Sequence, residues 1–413
     1  MKLSKRALAI NPSLTLSITA KAKEMKKQGL DVVSFAAGEP DFDTMFHIKE
    51  AAKKAIDEGF TKYTASSGII ELKEAICAKL RRDNWLDYEP KNIIVSTGAK
   101  QASFNIVMTL VGEGDEVIIP VPYWVSYEEM VKIAEGKCVF LKTNNFKINL
   151  QDLEKVITPK TRMLILNSPA NPSGIVYEEK ELKQIASTCL KHGIYILSDE
   201  IYEKIIYGKK HVSIASVNEK IKKLTIVVNG VSKSYAMTGW RIGYAAAEEE
   251  IIKAATRLQD HTTSNPCSIA QKAALAALNG PEDHVAKMVY EYKKRRDFMI
   301  ERLNRIDGMI ASRPDGAFYV FANVSKFYSD QVKGSIVFCQ NLLEDAYVAA
   351  IPGVAFGDDR FIRLSFATGM EHIKRGLDRL EKFVEKIRKW LFFEYRNNIF
   401  EVEVAIVIKI KRQ

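Results

Sequence analysis

The chain has 413 residues, 47% hydrophobic and 27% charged, with a formal net charge of +10, which is enough for two or three domain-sized units and a large core. Acidic residues are interleaved with the basic ones, as in Lys21-Ala22-Lys23-Glu24, and no helix-turn-helix or RNA-binding pattern occurs, so the excess charge reads as solvated helix faces with no nucleic-acid partner. No run nears the ~18 apolar residues of a membrane span, no apolar stretch follows Lys2, Lys5 and Arg6, and the five cysteines form no CxxC pair, so neither a secretory signal, a membrane partner, a disulfide framework nor a zinc site is expected, and a reduced cytoplasm is the expected home.

In chain order, residues 1–45 carry no strand–helix repeat and are expected to pack with the C-terminal unit. From about Asn92 to Ala247 a short β-branched run is followed repeatedly by a polar turn and a helix-like stretch. The runs are Ile93–Val95, Val117–Ile119, Met163–Leu166, Ile194–Leu197 and Leu224–Val228, with Val139–Leu141 and Ile242–Ala245 weaker. Continuous apolar runs alternating with helices predict an α/β unit whose mostly parallel sheet is buried on both faces. Residues 285–303 and 373–387 then show helical periodicity, with Ala317–Val320 and Phe361–Leu364 as strands between them, which predicts a smaller α+β unit. The expected division is 1–45 packing with the small domain, 46–284 as the large domain, 285–390 as the small domain and 391–413 as an atypical tail. That tail alternates from Phe400 and turns solidly apolar at Val404–Ile408. It reads as a strand-prone extension or the product of an altered reading frame, and is assigned no chemistry.

Ligands of open α/β sheets bind at the carboxyl ends of the strands, so the residues after each run are the candidates. Ser96-Thr97-Gly98-Ala99-Lys100-Gln101 opens a helix whose free N–H groups suit a phosphate. Pro122-Tyr123-Trp124 offers an aromatic face, Asn167 to Gly174 an amide, and Ser198-Asp199-Glu200 a carboxylate. Ser232-Lys233 follows the fifth run, and Gly239-Trp240-Arg241 leads into the next strand. Any one of these is more often a solvated lysine, a helix cap or a core aromatic. Their gathering on one sheet edge is the signal. Competing phosphate motifs fail: Gly112-Glu113-Gly114 has Val117 where a dinucleotide fingerprint needs its third glycine, and Ser232 precedes Lys233 where a P-loop needs glycine. The six histidines form no ligand-spaced pair, so no metal is expected.

At these residues the chain resembles the fold-type I, class I aminotransferases, and within them the bacterial and plant branch of aspartate aminotransferases. The matching strings are Ala37-Gly38-Glu39-Pro40-Asp41-Phe42-Asp43, Lys62-Tyr63-Thr64, Gly98-Ala99-Lys100-Gln101, Pro122 to Tyr127, Asn171-Pro172-x-Gly174, Ser198 to Tyr202, Ser232-Lys233 with Met237 to Arg241, Gly316 to Tyr319, and Arg363-Leu364-Ser365. The resemblance implies a seven-stranded, mostly parallel sheet in a large domain, a smaller α+β domain built from both chain ends, and pyridoxal 5′-phosphate as cofactor. By the same resemblance Lys233 would hold the cofactor as a Schiff base and then shuttle the substrate's α-proton. Asp199 would pair with the pyridine nitrogen, Tyr202 and Asn171 with the ring oxygen, and Trp124 would stack on the ring. The loop Gly98, Ala99 and Lys100 would give main-chain N–H groups to the phosphate, Ser232 would lie beside it, and Arg241 would add a forked charge. Tyr63 would reach the phosphate of a neighbouring subunit, which implies a homodimer with shared sites. Arg363 would clamp the substrate α-carboxylate, with Asn171, Trp124 and the Gly38 backbone beside it.

Aspartate or glutamate with 2-oxoglutarate or oxaloacetate is the implied substrate set. Aromatic amino acids or prephenate, a lyase on the same fold, and a non-catalytic cofactor-binding regulator are the alternatives. The animal and enteric branch carries an arginine for the distal carboxylate six residues before the proline of its Ser-Asn-Pro string; Asp260 stands there in this chain.

Overall fold

A computed structural model of the chain describes residues 3–389; Trp390 and the tail 391–413 lie outside the described residues. After the helix Leu14–Lys27 the chain makes a two-residue strand, β1 (Val33–Ser34), and two helices, Phe46–Asp57 and Ile70–Asn84. It then lays down β2 (Ile93–Ser96), β3 (Glu116–Val121), β4 (Lys137–Lys142), β5 (Thr161–Asn167), β6 (Tyr195–Asp199), β7 (Thr225–Gly230) and β8 (Gly243–Ala246). These seven form one sheet in the order β2-β8-β7-β6-β5-β3-β4. Only β8 runs antiparallel to its neighbours.

Alternation along each strand divides the side chains between two buried faces. Val117, Ile119, Met163 and Ile165 pack on one side with Ile106 and Val107 of helix Ala99–Leu110. Ile118, Leu164, Leu166 and Ile196 pack on the other with Leu182 and Ile185 of helix Glu179–His192. A sheet covered on both faces explains why these strands read as unbroken apolar runs. The less regular Val139–Leu141 became β4, an edge strand with Phe140 exposed. Ser198 and Asp199, read as following a strand, are its last two residues.

The second layer system holds β9 (Ile310–Ala311), β10 (Tyr319–Asn323), β11 (Val348–Ala349), β12 (Ile351–Pro352) and β13 (Phe361–Ser365). Four of these make an antiparallel sheet in the order β12-β13-β10-β9, while β11 pairs in parallel with β1. Ala317 has φ 56, so the regular strand starts two residues later than the apolar run suggests. Helices Asp283–Arg305, Gly334–Ala346 and residues 370–389 cover this sheet, and Val33 and Phe35 share the core with Phe338, Leu364, Leu377 and Leu380. The segment after β1 is held there by Arg295, whose Nη1 donates to both oxygens of Asp41 at 2.9 and 2.8 Å.

Candidate active site

The parallel strands end along one edge, and because β8 runs the other way its start lies at that same edge, with Gly230 opposite Gly243. The edge opens into a cavity of about 620 Å³ lined by Lys233, Asp199, Tyr202, Asn171, Trp124 and Arg363 among others. Asp199 is buried at the end of β6. Its Oδ2 accepts from the Tyr127 hydroxyl at 2.6 Å and its Oδ1 from the Ile201 N–H at 3.2 Å. Burial nevertheless raises its pKa, aided by the neighbouring Glu200 carboxylate, against those two hydrogen bonds and the Lys233 charge. Asn167 Nδ2 donates to the Asp199 carbonyl at 2.9 Å and its Oδ1 accepts from the Asn171 N–H at 2.8 Å, so β5 and β6 set the position of Asn171 together. Trp124 stands edge-on to Tyr127, ring centroids 5.2 Å apart.

Lys233 follows β7. Its Nζ donates to the Gly38 carbonyl at 2.6 Å and lies 5.9 Å from the rings of Tyr202 and Phe318. The cavity wall withholds water from it and pushes the ammonium down to about 8; the Glu39 carboxylate opposes this, while Arg363 and Arg241 add to it. That shifts deprotonation far toward neutral pH relative to a free lysine, the condition for a nucleophilic lysine.

Two anion sites flank it. Gly98 takes φ 84 at the start of helix Ala99–Leu110, whose first N–H groups have no carbonyl one turn back. A Cβ on Gly98 would meet Arg241 Nη2 at 2.4 Å, and one on Gly243 would meet the Ala99 nitrogen at 2.1 Å. Both glycines therefore exist to let Arg241 and β8 close on the helix start. Arg241 is in the left-handed region at φ 56, with Nη1 donating to the Thr238 carbonyl at 2.8 Å. On the other side, buried Arg363 donates through Nη1 to Asn171 Oδ1 at 3.1 Å and through Nη2 to the Ala36 carbonyl at 2.9 Å. Its guanidinium carbon lies 4.3 Å from the Tyr319 ring centroid, and its Nε is buried with no hydrogen-bond partner among the described residues. That leaves one donor of a cavity-lining guanidinium uncommitted to the described protein groups, which calls for an explanation.

Residues 30–380 match the family of class I and II aminotransferases. The chain belongs to that family. It is 49% identical to an aspartate aminotransferase of Bacillus subtilis over 391 residues, 94% of this chain and 100% of that one. It is 48% identical to an aspartate/prephenate aminotransferase of Nitrosomonas europaea over 392 residues, 92% of this chain and 99% of that one. Among solved structures, an aspartate aminotransferase of Rhizobium meliloti superposes with a TM-score of 0.90 at 44% identity, covering 93% of this chain and 99% of that one. The Thermus thermophilus aspartate aminotransferase with maleate gives 0.89 at 41%, covering 93% and 100%.

Aminotransferases of this family carry pyridoxal 5′-phosphate and act on small amino and 2-oxo acids. The donor set fits that cofactor: a buried carboxylate with no salt bridge among the described residues, a helix start with an arginine beside it, and a lysine with a lowered pKa. Ser232, Ala99, Lys100 and Gly38 line the cavity as well. Three residues singled out from the sequence do not line it. Gly98 lies behind Arg241, and Tyr63 is 92% exposed. Asp260 is exposed at the end of helix Glu249–Asp260.

The fold also brings in aminotransferase residues that the sequence reading missed. Tyr127 falls one helical turn after Trp124, a spacing that could have flagged it. Tyr319 OH lies 2.9 Å from Tyr202 OH, a contact between β10 and the segment after β6 that only the fold creates. The Lys100 side chain, assigned only through its N–H, swings over the Trp124 ring with Nζ 5.0 Å from the centroid. Glu200, Glu203 and His211 come close enough to share a metal ion. The two carboxylates are already engaged: Ser198, Ser213 and His211 Nε2 bond Glu200 at 2.8, 2.6 and 2.9 Å, and Lys79 and Asn84 hold Glu203, which leaves only His211 Nδ1 without a partner among the described residues.

Proposed function

We propose that this chain moves an amino group between aspartate or glutamate and 2-oxoglutarate or oxaloacetate. The observation that carries the reading is the charge arrangement around Lys233: besides Arg241, two further cations line the same cavity, one for each carboxylate of a dicarboxylic substrate. Arg363, with its unpartnered Nε, suits the α-carboxylate as a fork. Lys100 suits the distal one; it has no ion pair among the described residues, and partial desolvation beside Arg241 lowers its pKa.

When bound, pyridoxal phosphate supplies an aldehyde that takes up the amino group and a ring that accepts the electron pair left at the substrate α-carbon. The chain's own residues do the rest. Asp199 would hold the ring nitrogen and keep it protonated, and Tyr202 and Asn171 would hold the ring oxygen. The N–H groups of Ala99 and Lys100, with Arg241 and Ser232, would hold the phosphate. Trp124 would fix the ring plane and, with Gly38, close the α-carboxylate site. Lys233, neutral near its lowered pKa, would take the α-proton and return it one carbon away.

Three further parts belong to the same reading. A homodimer is supported by Tyr63, which is almost fully exposed and does not line its own chain's cavity, as a residue serving a partner's site would be. The domain division 46–284 and 285–390, with 1–45 on the small domain, is supported by the pairing of β1 with β11. A cytoplasmic location is supported by five cysteines that are all free; no helix among the described residues is long and apolar enough to cross a membrane. Prephenate is a second acceptor candidate, favoured by the relatives named for it.

The test is the absorbance of the cofactor-loaded protein. Aspartate should convert its band to that of the aminated cofactor, and 2-oxoglutarate should restore it. A band that no amino acid converts would point to a lyase or a regulator and sink the proposal.

A further inference from the structure

Helix Leu14–Lys27 lays one stripe along the cavity mouth. Thr15, Thr19, Ala22, Lys23 and Lys26 all line the cavity, at the spacing of a single helical face. Ala22 is buried, while Lys23 and Lys26 are exposed, so these two residues lie at the edge where the cavity meets water. Lys21, on another face, is tied to Glu344 at 2.6 Å. No ion pair among the described residues involves Lys23 or Lys26. The lining holds six cationic side chains, Lys23, Lys26, Lys100, Lys233, Arg241 and Arg363, against two carboxylates, Glu39 and Asp199. The four inner cations are taken up by cofactor, substrate carboxylates and proton transfer. The outer two have no part in the chemistry.

We propose that Lys23 and Lys26 form a capture site at the cavity mouth that ranks incoming substrates by net charge, and so act chiefly on the 2-oxo acid half of the reaction. The inference rests on the dicarboxylate reading above. 2-Oxoglutarate and oxaloacetate arrive with two net negative charges. Aspartate and glutamate arrive with one, because their ammonium cancels a carboxylate, and alanine arrives with none. A pair of unpaired cations at the mouth of a low-dielectric cleft raises the local concentration of anions in that order. The attraction reaches roughly 30 Å at 0.01 M salt and shrinks to a few ångström near 1 M, so its signature is a salt-dependent association rate with the chemical step untouched.

The experiment compares the cofactor-loaded full chain with its Lys23→Gln/Lys26→Gln double variant in the separate half-reactions. At low ionic strength the variant should lose about tenfold in kcat/KM for 2-oxoglutarate, about threefold for aspartate and nothing for alanine, with limiting rates unchanged. The loss should fade at about 0.5 M salt. Calorimetry with succinate, doubly charged and unreactive, should show weaker binding at low salt only. An equal loss on all three substrates, or one indifferent to salt, would mean that the lysines hold the helix in place and steer nothing. No loss at all would mean that they are merely solvated. Wild-type protein that turns over no dicarboxylate would remove the functional reading itself. If the wild type transaminates aspartate but the graded loss is missing, this inference falls alone.

Discussion

Lys233 reaches the Gly38 carbonyl at 2.6 Å from a wall that withholds water, and its ammonium is pushed down to about 8, well below the ordinary range of a lysine. A folded-state pKa below the free value means that the neutral amine accumulates about tenfold per pH unit up to 8 and then levels off. The rate of pyridoxal phosphate uptake by cofactor-free protein should therefore rise to a plateau with its midpoint near 8; a midpoint at or above 10 would show an unshielded lysine. Arg363 and Lys100 make a second residue-level test. Arg363→Lys should raise KM for every amino acid, because an ammonium cannot reproduce the two-point fork. Lys100→Gln should raise KM for aspartate but hardly for alanine. If both variants raise the two KM values alike, the division of carboxylates between them is wrong. Lys233, Asp199 and Arg363 were legible in the sequence because each sits at a fixed offset from a strand end or in a recurring string. The Lys100 side chain was not, since nothing in Gly98-Ala99-Lys100-Gln101 says which way a side chain leaves a helix start.

The decisive element is the junction of β8 with helix Ala99–Leu110. Gly243 brings β8 against the Ala99 nitrogen, where a Cβ would come within 2.1 Å of it and 2.5 Å of the Gly98 carbonyl carbon. Backbone cannot yield as a flexible side chain can, so Gly243→Ala should cost about 2–4 kcal/mol of stability and weaken pyridoxal phosphate binding at least about tenfold. Gly239, with nothing within 4 Å of an added Cβ, is the control, and its alanine variant should stay within about 1 kcal/mol. Urea unfolding and cofactor titration of the two variants would check this; equal effects would mean that the close approach is not what Gly243 serves. A polar frame supports the same junction. Gln259 accepts from Ser96 and Asn105 at 2.6 and 2.8 Å and donates to the Ser66 and Val95 carbonyls at 2.6 and 2.8 Å.

At the scale of the molecule, the cavity lies between the seven-stranded sheet and the unit that carries Arg363, and the helix from the N-terminal segment passes over its mouth. Residues 33–41 run from one system to the other: β1 pairs with β11, Phe35 packs under Gly376, and Gly38 receives Lys233. The proposed dimer adds Tyr63 to this arrangement. Sedimentation should give twice the chain mass, and Tyr63→Phe should lower cofactor affinity while leaving that mass unchanged. A monomer that binds cofactor with full affinity would refute the shared site.

The sequence alone determined the parallel sheet, the two systems of elements and the roster of strand-end residues. Buried strands must be apolar over their whole length, and a site at strand ends must punctuate those runs with polar residues at constant offsets. Only the tertiary structure decided that Tyr319 meets Tyr202, that Arg363 leaves Nε unpaired, and that Thr15, Thr19, Lys23 and Lys26 stand over a cavity whose other walls come from as far along the chain as Thr368. Those relations depend on crossing angles and close approaches between elements far apart in sequence. They are set by how the packed layers meet, and no local run of residues encodes that.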